Sequence, residues 1–166
     1  MKKLLSASLV IISIILCIVV SGCTSAVSSF TAPNPNLKLN QPAVFEKEGY
    51  AFTVGIDHID IQKQNSGARD VTITLRVTNT GSTGTTLTLS PMIIDSSGNE
   101  YATGSLFFSQ IAPGYSVTKK GTITIPGNDA YATLNKNAVI TVRIQGASPF
   151  PYEASWDVDN STFTSG

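Results

Sequence analysis

Hydrophobic and polar positions alternate with period two through most of the chain. Val71, Ile73, Leu75 and Val77 interleave with Thr72, Thr74, Arg76 and Thr78, which predicts a strand with one buried and one wet face. Phe52, Val54 and Ile56 fall on even positions and Ile59 and Ile61 on odd ones, so the strand carrying them must change face. A β-bulge near Asp57 and His58 is the simplest device. Further strands are predicted over 85–89 and 92–95, with a bend at Pro91 because proline donates no ladder hydrogen bond, and then over 117–125, 139–144 and 152–158. Turn signals separate them at 79–84, 96–99, 113–114 and 126–128, and the single helical expectation is a turn over 129–135. The buried faces supply a predicted core of Phe52, Val54, Ile56, Val71, Ile73, Leu75, Val77, Leu87, Leu89, Ile94, Ile123, Ile125, Val142, Ile144 and Trp156.

Seven or eight short strands with frequent turns predict an all-β fold, an antiparallel immunoglobulin-like β-sandwich. An up-and-down barrel is the competing architecture. The antibody signature is absent, since no cysteine pair is available and the sole tryptophan, Trp156, sits on the last predicted strand.

The pattern breaks at the N-terminus. Lys2 and Lys3 precede an almost wholly apolar run, 4–20, which reads as a signal-peptide core. Its roughly 17 residues would span about 26 Å as a helix, just short of a hydrocarbon core of roughly 30 Å, so an uncleaved anchor stays open as the alternative. The run closes on Val20, Ser21, Gly22 and Cys23, which resembles a lipobox, and that resemblance implies a lipid-bearing Cys23 as first residue of the mature chain. At about 0.8 kcal/mol per buried methylene, two acyl chains hold a protein durably to a membrane. Residues 1–22 are therefore expected to be a lipoprotein signal peptide and 23–41, rich in Ser, Ala, Pro and Asn, the lipidated cysteine with a flexible tether. The sandwich is expected over 42–159 and a flexible tail over 160–166. The expected location is the extracytoplasmic face of the cell membrane.

Cysteine and charge narrow the picture. With Cys17 in the signal and Cys23 alkylated, the mature domain has no disulfide and must rely on its core. The chain carries 11 basic and 11 acidic residues, scattered without a concentrated basic face, which argues against nucleic acid as a partner.

One resemblance covers roughly 50–156. The strand 71–79 running into a Gly turn, the segment 89–95 ending in Asp95, the Gly98 to Tyr101 stretch, the Pro113-Gly114 turn and the strand closed by Pro126 together resemble the uncharacterised immunoglobulin-like domain of prokaryotic cell-surface lipoproteins. The resemblance implies the fold and a cell-surface setting, and brings no catalytic residues.

Candidate chemistry is sparse. The only histidine, His58, shares a predicted strand face with Asp60, but no second His or Cys completes a transition-metal set. No G-x-S-x-G elbow is present. Hard oxygen ligands are available at Asp95 in its turn and at Asp157 and Asp159 on the last strand, and these are the weak calcium candidates. Asn160 opens the only N-glycosylation sequon. Phe107, Phe108, Tyr115, Phe150, Tyr152 and Trp156 are candidates for a sugar-binding surface, although a sandwich core also needs aromatics. The expectation is a monomeric, non-catalytic binding or interaction module without a cofactor, which meets an unknown protein or envelope polymer. A small-ligand or calcium-binding lipoprotein is the alternative.

Overall fold

The computed structural model describes residues 37–47, 50–134, 137–145, 152–158 and 162. Within them the chain forms β1 (Leu37–Lys38), β2 (Ala43–Lys47), β3 (Tyr50–Lys63), β4 (Arg69–Asn79), β5 (Thr85–Ile94), β6 (Glu100–Ala102), β7 (Leu106–Ile111), β8 (Ser116–Ile125), one helix α1 (Gly127–Leu134), β9 (Val139–Gln145) and β10 (Tyr152–Asp157). The strands make two sheets. One has the order β2-β3-β4-β8; the other runs β1-β10-β9-β5-β6, with β7 also paired to β5. Taking β3, β4, β5, β8, β9 and β10 as strands A, B, C, E, F and G gives A-B-E facing G-F-C, the immunoglobulin-like arrangement. The sandwich is thus confirmed, with more strands than the pattern predicts, among them the short β1 and β6.

Alternation builds the core directly. Val71, Ile73, Leu75 and Val77 of β4 face Ile123 and Ile125 of β8, and the opposing sheet contributes Leu87, Leu89, Ile93, Ile140, Val142, Ile144 and Trp156, all buried. Phe45 and Phe52 stack across β2 and β3 with ring centroids 5.0 Å apart. The face change in β3 falls where the pattern places it, with the β3–β4 register shifting between Ile56 and His58.

The chain departs from expectation at Pro91. Rather than bending, β5 runs unbroken through it, because the carbonyl of Pro91 accepts from the Thr103 N–H at 3.3 Å. In a strand the N and O of one residue face the same side, so the donor-less nitrogen also points to the connection between β6 and β7, where no ladder bond is required. Odd parity therefore continues from Leu87 to Ile93, and Ile93, not the predicted Ile94, enters the core while Ile94 stays partly exposed. Thr74, predicted wet, is 8 % exposed, flanked on its outer face by His58 and Lys120.

β7 escaped the sequence pattern because it bulges: the β5–β7 register shifts between Thr85 and Leu87, Gln110 adopts φ 45°, and Ile111 thereby returns to the buried face. The helical expectation over 129–135 becomes the eight-residue α1, whose Tyr131 and Leu134 join the core. Tyr131 also lies under the Arg69 guanidinium, 3.7 Å from its ring centroid. That stacking sets a cation against a π-face where the Arg69 Nε is buried without a hydrogen-bond partner. Burial raises the Tyr131 phenol above its ordinary pKa, with the Arg69 charge opposing.

Candidate functional site

Two regions at opposite ends of the sandwich carry features beyond core and turn. The first is organised by Asn79, fully buried at the end of β4. Its amide nitrogen donates to the carbonyls of Thr83 at 2.7 Å and Ile111 at 2.8 Å, and its amide oxygen accepts from Gly81 N–H at 2.9 Å. The Asn79 backbone N–H donates to the Tyr115 carbonyl and its carbonyl accepts from Gly114. Thr80 and Gly81 in turn donate to the Ala51 carbonyl. Backbone bonds thus tie the start of β3 to the 80–84 turn, and Asn79, through side chain and backbone together, ties that turn to the end of β7 and to the 112–115 turn. The last is a type II turn closed by Tyr115 N–H to the Ala112 carbonyl at 3.1 Å, with Pro113 at its first corner and Gly114 at φ 79° at its second, a conformation that favours glycine.

On this fixed frame two tyrosines stand in solvent, Tyr50 at 49 % and Tyr115 at 68 % exposure. By strand spacing their backbones lie about 12 Å apart. Residues 50–53, 78–84 and 111–118 carry no formal charge, and on the β2 side Glu46 and Lys47 are the register partners of Ala51 and Tyr50. Phe107, 54 % exposed, stands on the outer face of the neighbouring edge strand β7.

The second region is a cleft of about 530 Å³ lined by Lys38, Leu39, Asn40, Asn137, Ala138, Asp157 and Val158. It forms where the chain leaves β1 and crosses to the other sheet as β2. The crossing is held by Trp156, whose indole N–H donates to the Gln41 carbonyl at 2.8 Å, and by Gln41, which exchanges hydrogen bonds with Lys38 through its N–H and its Oε1. Val158 N–H to the Ala138 carbonyl closes the floor.

The predicted site residues distribute unevenly over these regions. Asp95 is buried, and its turn uses both oxygens: Oδ1 accepts from Ser97 and Asn99 N–H at 2.8 and 2.9 Å, Oδ2 from Asn99 Nδ2 at 2.8 Å. Tyr101 also hydrogen-bonds it, and burial, then the Asp95 charge, raises the Tyr101 phenol. Asp95 is therefore a turn-forming carboxylate with its acceptors engaged by protein donors. Asp157 lines the cleft, whereas Asp159, Asn160, Phe150 and Cys23 lie outside the described residues. His58 is exposed beside the bulge; Asp60 accepts from Gln62, and Asp57 pairs with Arg76 at 2.8 Å. Among the described residues no group of three His, Cys, Asp or Glu is placed to hold a metal. Of the candidate aromatics, Phe108 and Trp156 belong to the core. Tyr50, Lys38 and the role of Asn79 were not singled out by the sequence pattern; the Asn-x-Gly signal marked only a turn.

Comparison with protein-family models and with curated proteins gives no match. Among solved structures the chain is similar to part of a Bacteroides fragilis protein assigned as a β-galactosidase, at TM-score 0.49 and 17% identity over 64% of this chain and 16% of that one. It is also similar to part of a β-glucuronidase from glycoside hydrolase family 2, at TM-score 0.45 and 13% identity over 60% of this chain and 10% of that one. A third likeness is to part of β-glucosidase 3B from Thermotoga neapolitana, at TM-score 0.36 and 16% identity over 68% and 17%. The chain thus spans 10 to 17% of the length of these structures.

Proposed function

We propose that the chain is a lipoprotein held to the extracytoplasmic face of the membrane through lipid on Cys23, and that its β-sandwich is a non-catalytic interaction module. It meets a protein or envelope polymer with the end that carries Tyr50 and Tyr115. The observation that carries this reading is the buried Asn79, which ties three chain segments into one frame beneath two exposed tyrosines. Rigid tyrosines lose little entropy on binding, and a preorganised turn lowers the ordering cost of association. This end is also remote from where the described domain begins. Leu37 pairs with Trp156 in the row of Ile140, five residues from Gln145, or about 17 Å along the sheet. The lipobox at 20–23 and the resemblance to surface lipoprotein domains support the anchoring.

The test is affinity capture from detergent-solubilised native membranes with the lipidated full chain and a Tyr50→Ala/Tyr115→Ala double variant. Capture of a partner by the wild type, lost by the variant at an unchanged unfolding midpoint, is the expected result; equal capture by both overturns the role of this end. Cys23→Ala should abolish lipid attachment, and wild-type protein recovered in the soluble fraction with an unmodified Cys23 overturns the anchoring.

A further inference from the structure

We infer that the cleft at the other end of the sandwich is a binding site for a small zwitterion, a free α-amino acid being the ligand class that fits. The inference rests on the cleft alone and is independent of the tyrosine-bearing end.

Lys38 and Asp157 are register partners in the parallel β1–β10 pair, so their side chains leave the same face of the sheet, with backbones about 5 Å apart. Both line the cleft. Although they stand side by side, among the described residues neither the Lys38 ammonium nor the Asp157 carboxylate makes an ion pair within 4.0 Å. A cation and an anion held close but apart present a dipole to whatever enters. A molecule with its own carboxylate and ammonium separated by one carbon can set its carboxylate against the Lys38 ammonium and its ammonium against the Asp157 carboxylate, each contact a charge-assisted hydrogen bond.

The remaining lining suits the same ligand. The amide of Asn40 flanks the charges and offers both a donor and an acceptor. Leu39, partly exposed, gives an apolar wall against which a short aliphatic side chain can lie, while Ala138 and Val158, at 1 % and 5 % exposure, close the cleft on the side of the core. The volume of about 530 Å³ lies within the range of roughly 300–1,000 Å³ typical of small-molecule sites. The walls are fixed in advance: the strap 38–41 is pinned by Trp156 and Gln41, and Val158 is bonded to Ala138. Preorganised walls spare the ligand the cost of ordering them.

The experiment is isothermal titration of the detergent-solubilised full chain with alanine, valine and leucine, and with the N-acetyl and the amide derivative of whichever binds. Saturable binding is expected, weakened about tenfold or more by Lys38→Met and by Asp157→Asn, and lost when either charge of the ligand is blocked. Asn40→Ala, which leaves the charges in place, should weaken binding less. The exchanged pair Lys38→Asp/Asp157→Lys should recover binding that either single replacement loses, which separates a ligand role from a purely structural one. Absence of saturation at about 10 mM, equal affinity for the blocked derivatives, or binding indifferent to Lys38→Met and Asp157→Asn overturns the inference.

Discussion

Single residues decide how the ends of this sandwich are built. Asn79→Ala would strip the Thr83 and Ile111 carbonyls of their donor and the Gly81 N–H of its acceptor in a buried site. A loss of about 3 kcal/mol is expected by chemical denaturation, with faster amide exchange over 80–84 and 112–115. Asp70 works on the exposed face of β4. Thr124 Oγ1 and Gln64 Nε2 each donate to it at 2.7 Å, and those bonds lower its carboxyl below the ordinary 3.8, Thr124 contributing most. A depressed folded-state pKa means stability that is present above the unfolded value and lost as pH falls through the folded one. The protein should therefore lose stability below about pH 4, and Asp70→Asn should flatten that limb of a stability–pH curve while leaving the alkaline side unchanged. Residue roles of this kind were the least legible in the sequence. An Asn before a Gly announces a turn, but the three carbonyls and amides that meet Asn79 come from 83, 111 and 81, and only the tertiary structure brings 111 alongside. Asp95 was open to a calcium reading for the same reason, since its donors in 97 and 99 are visible only once the turn has closed.

At the level of strands, the clearest alternation gave the most secure reading: β4 and the far half of β8 lie as their apolar positions require, and so does the bulge in β3. Patterns disguised by a bulge or a proline misled. β7 places apolar residues at 106, 107, 108 and 111, which fits neither period, and Pro91 reads as a break although a gap between two neighbouring strands accommodates it. That gap has a counterpart across the core. A Cβ on Gly121 of β8 would meet Thr103 Cγ2 at 2.9 Å and both Leu106 Cδ1 and Pro91 Cγ at 3.4 Å, so the opposing sheet and its 103–106 connection pack directly onto β8 where it has no side chain. Gly121→Val should cost about 1–3 kcal/mol through overpacking, and Leu75→Ala, which opens a cavity at a fully buried position of β4, about 2–5. Urea unfolding of the two variants measures both. Nearby, Lys119 leaves β8 on the inner side but reaches out along the seam, its ammonium 5.7 Å from the Phe108 ring, and so covers the open edge with an amphipathic stem.

For the whole molecule, the fold class followed from composition and period, because a two-sheet core needs nothing more than strands with one apolar face. The outer faces are closed by polar ladders. Thr72 bonds Thr122, Thr78 bonds Ser116, and on the other sheet Arg143 pairs with Glu153 at 3.1 Å and with Glu100 at 3.7 Å. Arg143 stands in the row of Ser90 and Glu100 in that of Ile94, so their ion pair passes diagonally over Met92 and accounts for an apolar side chain at 5 % exposure on an outward face. The described core unites both sheets and α1 without a cysteine. Unfolding of the detergent-solubilised chain should therefore be unchanged by chelator or by reductant, and a midpoint that drops with either would show a metal or disulfide contribution.

The crossing between β1 and β2 has a mechanical meaning. In a chain anchored through Cys23 as proposed, any load between membrane and partner enters the domain at Leu37. There β1 runs parallel to the last strand, from the tyrosine-bearing end toward the cleft, so a pull away from a partner at that end bends the chain back at Leu37 and loads the bonds of the pair one after the other. The pair is only two residues long, backed by the Trp156 indole on Gln41, and it yields before the five-residue β2, whose ladder with β3 is longer. Yielding releases 37–42, roughly 20 Å of slack, while the sandwich stays shut. In a chain so anchored the strap would act as a fuse, giving length under strain and leaving the domain behind it intact.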